Sequence, residues 1–304
     1  MKVCVIIPTL NEEEFIGKLI DSINSNSFKE KEIIVVDDGS TDKTVEIAKQ
    51  KGAKVFVNSP ARRGPSFGWN FASKKTDAEI LCILGADFFI SDKDFIKKAV
   101  QAFDETTVAV YTAYTTIQDT LIEKIVTKKQ GISFEPRFVR KDVFLKLGGF
   151  PLIGFGEDQI FSYKLKKYIK ENNLKEKTVK DAFFSGHGVH SLSEMYKQAV
   201  WYGKTSVPFI KLVPKEFRVQ QLISVFLRPI YFLSFLFSVF SIYFFPLIIF
   251  AVPFFLVYLK IVFESIKSKN FFVLGKTFTF LFFGLGMLHG IFLYLTGLDR
   301  KTGH

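Results

Sequence analysis

From Pro229 to Leu259 the chain runs 31 residues without a charged side chain. A stretch of that kind has to be buried, in protein or in lipid. As one α-helix it would reach roughly 46 Å, against a hydrocarbon core of about 30 Å. A hairpin fits better: one span over Leu222–Tyr243, a break near Pro246, and a second span ending at Phe263. A third span is expected over Phe271–Leu295, where Gly286 and Gly290 have the spacing that lets two helices approach closely. Lys260, Lys267, Lys269 and Lys276 flank the loop between the second and third spans. Placing that loop in the cytoplasm satisfies the positive-inside rule and favours three spans over two. The spans are apolar on every face, which argues against the core of a soluble protein. Just upstream, Ser206–Leu227 interleaves Lys211, Lys215 and Arg218 with Phe209, Ile210, Leu212 and Phe217, the pattern of a segment lying on a membrane surface.

The remainder mixes charge and hydrophobicity as a globular α/β protein does. The chain therefore reads as a globular part over residues 1–205, an interfacial linker over 206–221 and a membrane region over 222–304, in helices 222–243, 246–263 and 271–295. The whole chain has a formal net charge of +11. It carries no zinc-finger spacing, RRM signature or basic region with heptads, so no nucleic-acid partner is expected. Beside an apolar tail, anionic lipid headgroups account better for the excess of cations. Cys4 and Cys82 sit inside apolar runs and read as buried thiols in a reducing compartment. The chain opens on a charged residue and a short strand, not on a signal peptide. The expectation is an integral protein of the cell membrane with its globular part in the cytoplasm.

Strand and helix alternate through the first hundred residues. Val3–Ile7 is a continuous apolar run ended by Pro8. Asn11 and Glu14 signal a helix start, and Ile16, Leu19, Ile20 and Ile23 follow at helical spacing. Glu32–Val36, Lys54–Val57 and Glu79–Leu84 read as further strands, Thr44–Lys51 and a stretch from about Gly64 to Ala72 as helices. Alternation of this kind predicts a mostly parallel, Rossmann-like sheet, whose ligands bind beyond the carboxyl ends of the strands. Pro8–Glu12, Asp37–Asp38 and Asp87 all fall there. Further on, Ser133–Arg140 reads as a strand, Arg140–Leu147 as a helix, Gly154–Asp158 as a polar turn, Gln159–Ile169 as a helix, Val179–Ser185 as a strand and Leu192–Tyr202 as a helix.

Val5-Ile6-Ile7-Pro8-Thr9-Leu10-Asn11-Glu12, then Ile34-Val35-Val36-Asp37-Asp38-Gly39-Ser40-Thr41-Asp42, then Arg63-Gly64-Pro65-Ser66 with Asn70, then Phe150-Pro151 with Gly156-Glu157-Asp158, together resemble the family-2 glycosyltransferases of the GT-A fold. The resemblance covers about residues 1–205. It implies a nucleotide-sugar donor, with Pro8, Leu10 and Glu12 lining the base and ribose pocket, Val36 packed beside it, Asp38 hydrogen-bonding the ribose or base, and Arg63 near the diphosphate. Ala86 and Asp87 fall in the family's DxD motif, whose last aspartate would hold Mg²⁺ or Mn²⁺ against the diphosphate and offset the charge growing on the leaving group. The first aspartate of that motif is Gly85 here, which has no side chain to ligate with. His187 and His190 lie where some members place a further metal ligand; histidine suits Mn²⁺, and His190 is the stronger candidate.

The resemblance places the general base at Asp158, with Glu157 positioning the acceptor. A sugar hydroxyl is a poor nucleophile, and a carboxylate within reach takes its proton as attack proceeds. Direct displacement inverts the anomeric centre. A carboxylate at the start of a helix also reads as a cap, and the two roles are compatible. Polyprenyl-phosphate sugar synthases, such as the dolichol-phosphate-mannose synthases, share the fold and carry hydrophobic tails, but their acceptor is already an anion. The Glu157–Asp158 pair therefore favours a hydroxyl on a lipid-linked sugar or glycolipid of a cell-envelope glycan. The polyprenyl-phosphate reading stays open, as does a non-catalytic membrane scaffold, which Gly85 favours and Asp38, Asp87 and Asp158 oppose. Gln198 and Trp201 are similar to the QxxRW motif of processive synthases, with Val200 where the arginine stands. The short tail predicts transfer of single sugars without polymer export.

Overall fold

The computed structural model describes residues 1–59, 62–117, 120–126, 130–133, 135–189, 191–240, 248–268 and 275–298. It divides into two units, residues 1–117 with 128–187, and residues 118–127 with 188–304.

The first unit is built on one mixed sheet. Its strands are β1 (Val3–Thr9), β2 (Lys31–Asp37), β3 (Lys54–Val57), β4 (Ile80–Ile83), β5 (Phe88–Phe89), β6 (Thr107–Ile117), β7 (Gln130–Ile132), β8 (Phe138–Arg140) and β9 (Lys175–His187). They lie in the order β3-β2-β1-β4-β8-β6-β9-β5, with β7 paired to β6. The first four run parallel, as expected. Antiparallel β8 then joins β4 to β6, and β9 returns parallel to β6. The helices are α1 (Ile16–Asn24), α2 (Thr44–Gln50), α3 (Pro65–Ser73), α4 (Phe95–Gln101), α6 (Lys141–Lys146) and α7 (Glu157–Glu171).

Why β1 reads as an unbroken apolar run is plain from its two faces. Val3, Val5 and Ile7 join the core under α1 and α4. Cys4 and Ile6 join a second core with α3, α6 and α7. Both sides of the strand are covered, so neither face needs polar residues. Both cysteines are free and buried, and burial pushes the Cys4 thiol up to about 12.

Four local expectations need correction. Pro8 does not end β1: the strand runs on to Thr9, with Pro8 in register with Val36 and Thr9 with Asp37. Asn11 does not cap α1, which begins at Ile16. Asn11 takes a left-handed φ of 57° instead, and its Oδ1 accepts from the Thr41 N–H at 2.8 Å. Among the described residues of 133–140, only Phe138–Arg140 is strand. The last strand is longer than Val179–Ser185, because Lys175–Lys177 continues the pairing with β6 despite its charges.

The second unit is helical: α5 (Leu121–Val126), α8 (Leu192–Leu212), α9 (Lys215–Phe240), α10 (Ile248–Ser268) and α11 (Gly275–Thr296). The helix expected to stop at Tyr202 runs on to Leu212, through Pro208. Gly286 and Gly290 behave as their spacing implies. A Cβ on Gly290 would sit 2.0 Å from the Val200 carbonyl oxygen, and one on Gly286 would sit 2.6 Å from the Ala199 Cβ. α8 thus lies directly on the small-residue face of α11. Among the described residues, two stretches are long and apolar enough to cross a membrane, Phe217–Val239 in α9 and Thr277–Thr296 in α11. The α10 helix carries Lys260, Glu264 and Lys267. The expected break near Pro246 lies outside the described residues.

Candidate active site

In-register pairing sets the carboxyl ends of β1, β2 and β3 level, while β4 ends three residues earlier, opposite Ile6. Thr9 pairs with Asp37, Asp37 with Val57, and Ile6 with Ile83. The loops beyond these ends are tied to one another. Asn11 N–H donates to Ser40 Oγ, Glu12 N–H to Thr44 Oγ1 and Lys43 N–H to Glu13 Oε2, all at 2.8–3.0 Å. Asp37 shapes the second loop, its carboxylate accepting from the Gly39 and Ser40 N–H groups at 3.0 Å each. Pro8 and Val36 lie beneath α3 at its closest approach, where a Cβ on Gly68 would fall 2.9 Å from that of Pro8 and 3.4 Å from that of Val36. Only glycine lets that helix settle on the strand ends.

Asp38 is buried and organises the segment that leads into α3. Its carboxylate accepts from Asn58 Nδ2 at 3.0 Å, the Arg63 N–H at 2.9 Å and the Gly64 N–H at 2.7 Å. Burial pushes the Asp38 carboxyl up, but the hydrogen bonds from Asn58, Arg63, Gly64 and Arg62 together hold it below its ordinary value. Arg63 meets Asp38 through its backbone. Its exposed guanidinium stacks 3.5 Å above the Phe67 ring. Leu10 and Glu12 are half-buried in the loop beyond β1.

Beyond β4, Ala86 is buried and Asp87 turns back over Gly85, its Oδ1 2.7 Å from where a Cβ on residue 85 would stand. A divalent cation can be held by one carboxylate together with substrate phosphates, and Asp87 supplies such a carboxylate. Among the described residues no group of three or more His, Cys, Asp or Glu side chains forms a protein-only metal site. His190 lies outside the described residues.

Glu157 and Asp158 do not lie in a turn. They open α7, behind Gly156 in a left-handed conformation with φ 76°. The Asp158 Oδ1 accepts from the Gln159 N–H at 2.8 Å. Burial, with the charges of Asp158 and Glu135 behind it, pushes the Glu157 carboxyl up to about 8. Burial and then the Glu135 charge push Asp158 up to about 6, against the Gln159 N–H and the Arg137 charge. Burial thus raises both carboxyls above the ordinary carboxylate range.

Glu135 and Arg137 were not singled out from the sequence. Arg137 is buried, ion-paired with Glu135, and packed on the rings of Phe88 at 5.1 Å and Phe184 at 4.7 Å. Its Nη1 donates to the Ile83 carbonyl at the end of β4 at 3.3 Å. Opposite charges flanking Pro136 were the available signal. The loop leading into α7 is anchored at Phe150. Asn70 Nδ2 donates to the Phe150 carbonyl at 2.7 Å, and its Oδ1 accepts the Phe150 N–H at 2.9 Å.

The mixed sheet, with its parallel half β3-β2-β1-β4 and the loops gathered beyond those strands, has the GT-A architecture of nucleotide-sugar transferases. The profile of glycosyl transferase family 2 matches residues 4–164. The chain belongs to that family. An uncharacterized glycosyltransferase of Haemophilus influenzae is 27% identical over 215 residues, covering 66% of this chain and 85% of that protein. The GalNAc(5)-diNAcBac-PP-undecaprenol beta-1,3-glucosyltransferase of Campylobacter jejuni is 35% identical over 91 residues, 28% of this chain and 29% of that one. The chain spans only 19–29% of the length of several curated glycosyltransferases that it matches. Among solved structures, a mannosyltransferase of Pyrobaculum calidifontis in complex with GDP-Man and Mn²⁺ superposes with a TM-score of 0.57 at 18% identity, over 97% of this chain and 87% of that one. That likeness is one of fold.

Proposed function

We propose that this protein is an inverting glycosyltransferase that moves a sugar from a nucleotide-sugar donor to a hydroxyl of a lipid-linked or glycolipid acceptor. The observation that carries the reading is the Glu157–Asp158 pair, two carboxyls placed together in the first turn of α7 behind Gly156 and both raised by burial. Asp158 takes the hydroxyl proton as the acceptor oxygen attacks the anomeric carbon. The bond from that carbon to the diphosphate breaks, and the nucleoside diphosphate leaves with the bonding pair. Glu157 orients the acceptor. Pro8, Leu10, Glu12, Val36, Asp38, Arg63 and Ala86 line the donor side. Asp87 would hold a divalent cation, Mg²⁺ or Mn²⁺, which stabilises charge on the leaving diphosphate when bound.

The lipid-linked acceptor is supported by the two apolar helices and by the undecaprenol-linked acceptor in the Campylobacter enzyme's name. The same helices support a catalytic part over 1–205 held by an interfacial segment at the cytoplasmic face of a membrane region over 222–304. The test is nucleoside-diphosphate release from a panel of UDP- and GDP-sugars, in detergent with Mn²⁺ and a membrane lipid extract. The expected result is release from one donor, lost in Asp158→Asn and with EDTA, and a product of inverted anomeric configuration by NMR. A product of retained configuration, or full activity in Asp158→Asn with polyprenyl phosphate consumed, overturns the reading.

A further inference from the structure

The chain leaves the catalytic sheet after Ile117 at the end of β6 and returns at Gln130, the start of β7. Between them it forms α5, which belongs to the helical unit. α5 is a built element. Thr120 and Glu123 form a reciprocal cap, the Thr120 N–H donating to Glu123 Oε2 at 2.8 Å and the Glu123 N–H to Thr120 Oγ1 at 3.2 Å. The start of α11 lies against it: a Cβ on Gly275 would fall 2.7 Å from Ile125 Cδ1.

Beside this contact lies a cavity of about 450 Å³, walled by Leu121, Ile122 and Ile125 of α5, Leu192 at the start of α8, and Phe278 and Thr279 of α11. Among the described residues that line it, none carries a charge. Its volume falls within the range of roughly 300–1,000 Å³ usual for ligand pockets. Leu121, Leu192 and Phe278 are exposed at 58%, 39% and 54%, which leaves an apolar rim open. Phe278 is the second residue of the membrane-crossing stretch of α11, so the opening stands at one end of that stretch.

We propose that this cavity lodges the prenyl chain of the lipid-linked acceptor. The inference rests on the acceptor assignment made above. The leucine, isoleucine and phenylalanine side chains on its walls suit a hydrocarbon chain. Bulk lipid covers any apolar helix surface without distinction. One wall of this cavity is α5, in the segment between β6 and β7, and Thr120 follows the end of β6 by three residues.

The test uses the full-length protein in phosphatidylcholine nanodiscs and a diazirine-bearing prenyl phosphate as probe. Peptide mapping is expected to place the label on 120–125 and around Phe278. Unlabelled long-chain prenyl phosphate competes, and added phosphatidylglycerol does not. Each buried methylene is worth about fourfold in affinity, so Leu121→Trp or Leu192→Trp, each filling the rim, lowers labelling at least tenfold. Val239→Trp, on an exposed part of α9, leaves it unchanged. Both rim residues are exposed, so the variants retain the fold, checked by the thermal midpoint. Label spread along α9, α10 and α11 regardless of variant, or competition by phosphatidylglycerol equal to that by prenyl phosphate, overturns the proposal. Labelling needs no turnover, so failure of the transferase reading shows separately, as no nucleoside-diphosphate release.

Discussion

Asn70 gives the most direct test of how the two halves of the site are joined. Its amide makes both hydrogen bonds that the Phe150 backbone offers, at 2.7 and 2.9 Å. Gly149 makes room for it: a Cβ there would lie 2.2 Å from Asn70 Oδ1, and the residue holds a φ of 66°. Asn70→Ala removes two neutral hydrogen bonds, each worth about 1 kcal/mol net, and strands two backbone groups that cost more where water does not reach them. The expected loss is about 2–4 kcal/mol in total. For a unit of this size that lowers the unfolding midpoint by about 4–16 °C. Asn70→Asp keeps the acceptor but turns a carboxylate oxygen toward the Phe150 carbonyl, and falls at least as far. Trp69 packs on Phe150 with ring centroids 5.1 Å apart, so its fluorescence reports the same loop. The assay is thermal unfolding in detergent followed by tryptophan emission. A midpoint within 1–2 °C of wild type, taken as about the error of such a scan, with unchanged emission, would show that the loop is held by something else.

The remaining predictions concern charge and packing. The kcat/KM profile is expected to fall on the acid side of about pH 6 as Asp158 gains its proton, and Asp158→Asn abolishes turnover at every pH. Glu157 has a folded value near 8, above its unfolded one, so its contribution is fully present below the ordinary carboxylate range and is lost as pH rises through about 8. The thermal midpoint therefore drops between pH 6 and pH 9, and Glu157→Gln removes part of that drop. Gly85→Ala forces the Asp87 carboxylate aside, since the new Cβ would meet its Oδ1 at 2.7 Å, and calorimetry is expected to show weaker Mn²⁺-dependent nucleotide binding. Gly290→Leu drives a side chain into the Val200 carbonyl and is expected to separate α8 from α11, read as loss of monodisperse protein on size exclusion.

How much of this was legible depended on which surfaces each element buries. β1, β2 and β4 announce themselves because both their faces are covered, and their residues are apolar without interruption. β6 was passed over, although its first seven residues are buried, because Thr107, Thr112 and Tyr111 dilute the apolar signal. The first residues of β9 are charged because their side chains stay in water while the backbone pairs with β6. Separation in sequence hid the rest. Asn70 was visible as part of a motif on the donor side, yet its hydrogen-bond partner is 80 residues away on the acceptor side. Arg137 looks like a strand residue until Ile83, Phe88 and Phe184 close around it. Asn70 ties α3 to the loop before α7, and Arg137 ties the Glu135 segment to the β4 end. A motif scan reads those places as separate words. In the fold they are cross-braced, so substitutions far from either carboxylate are expected to change catalysis by moving one half of the site relative to the other.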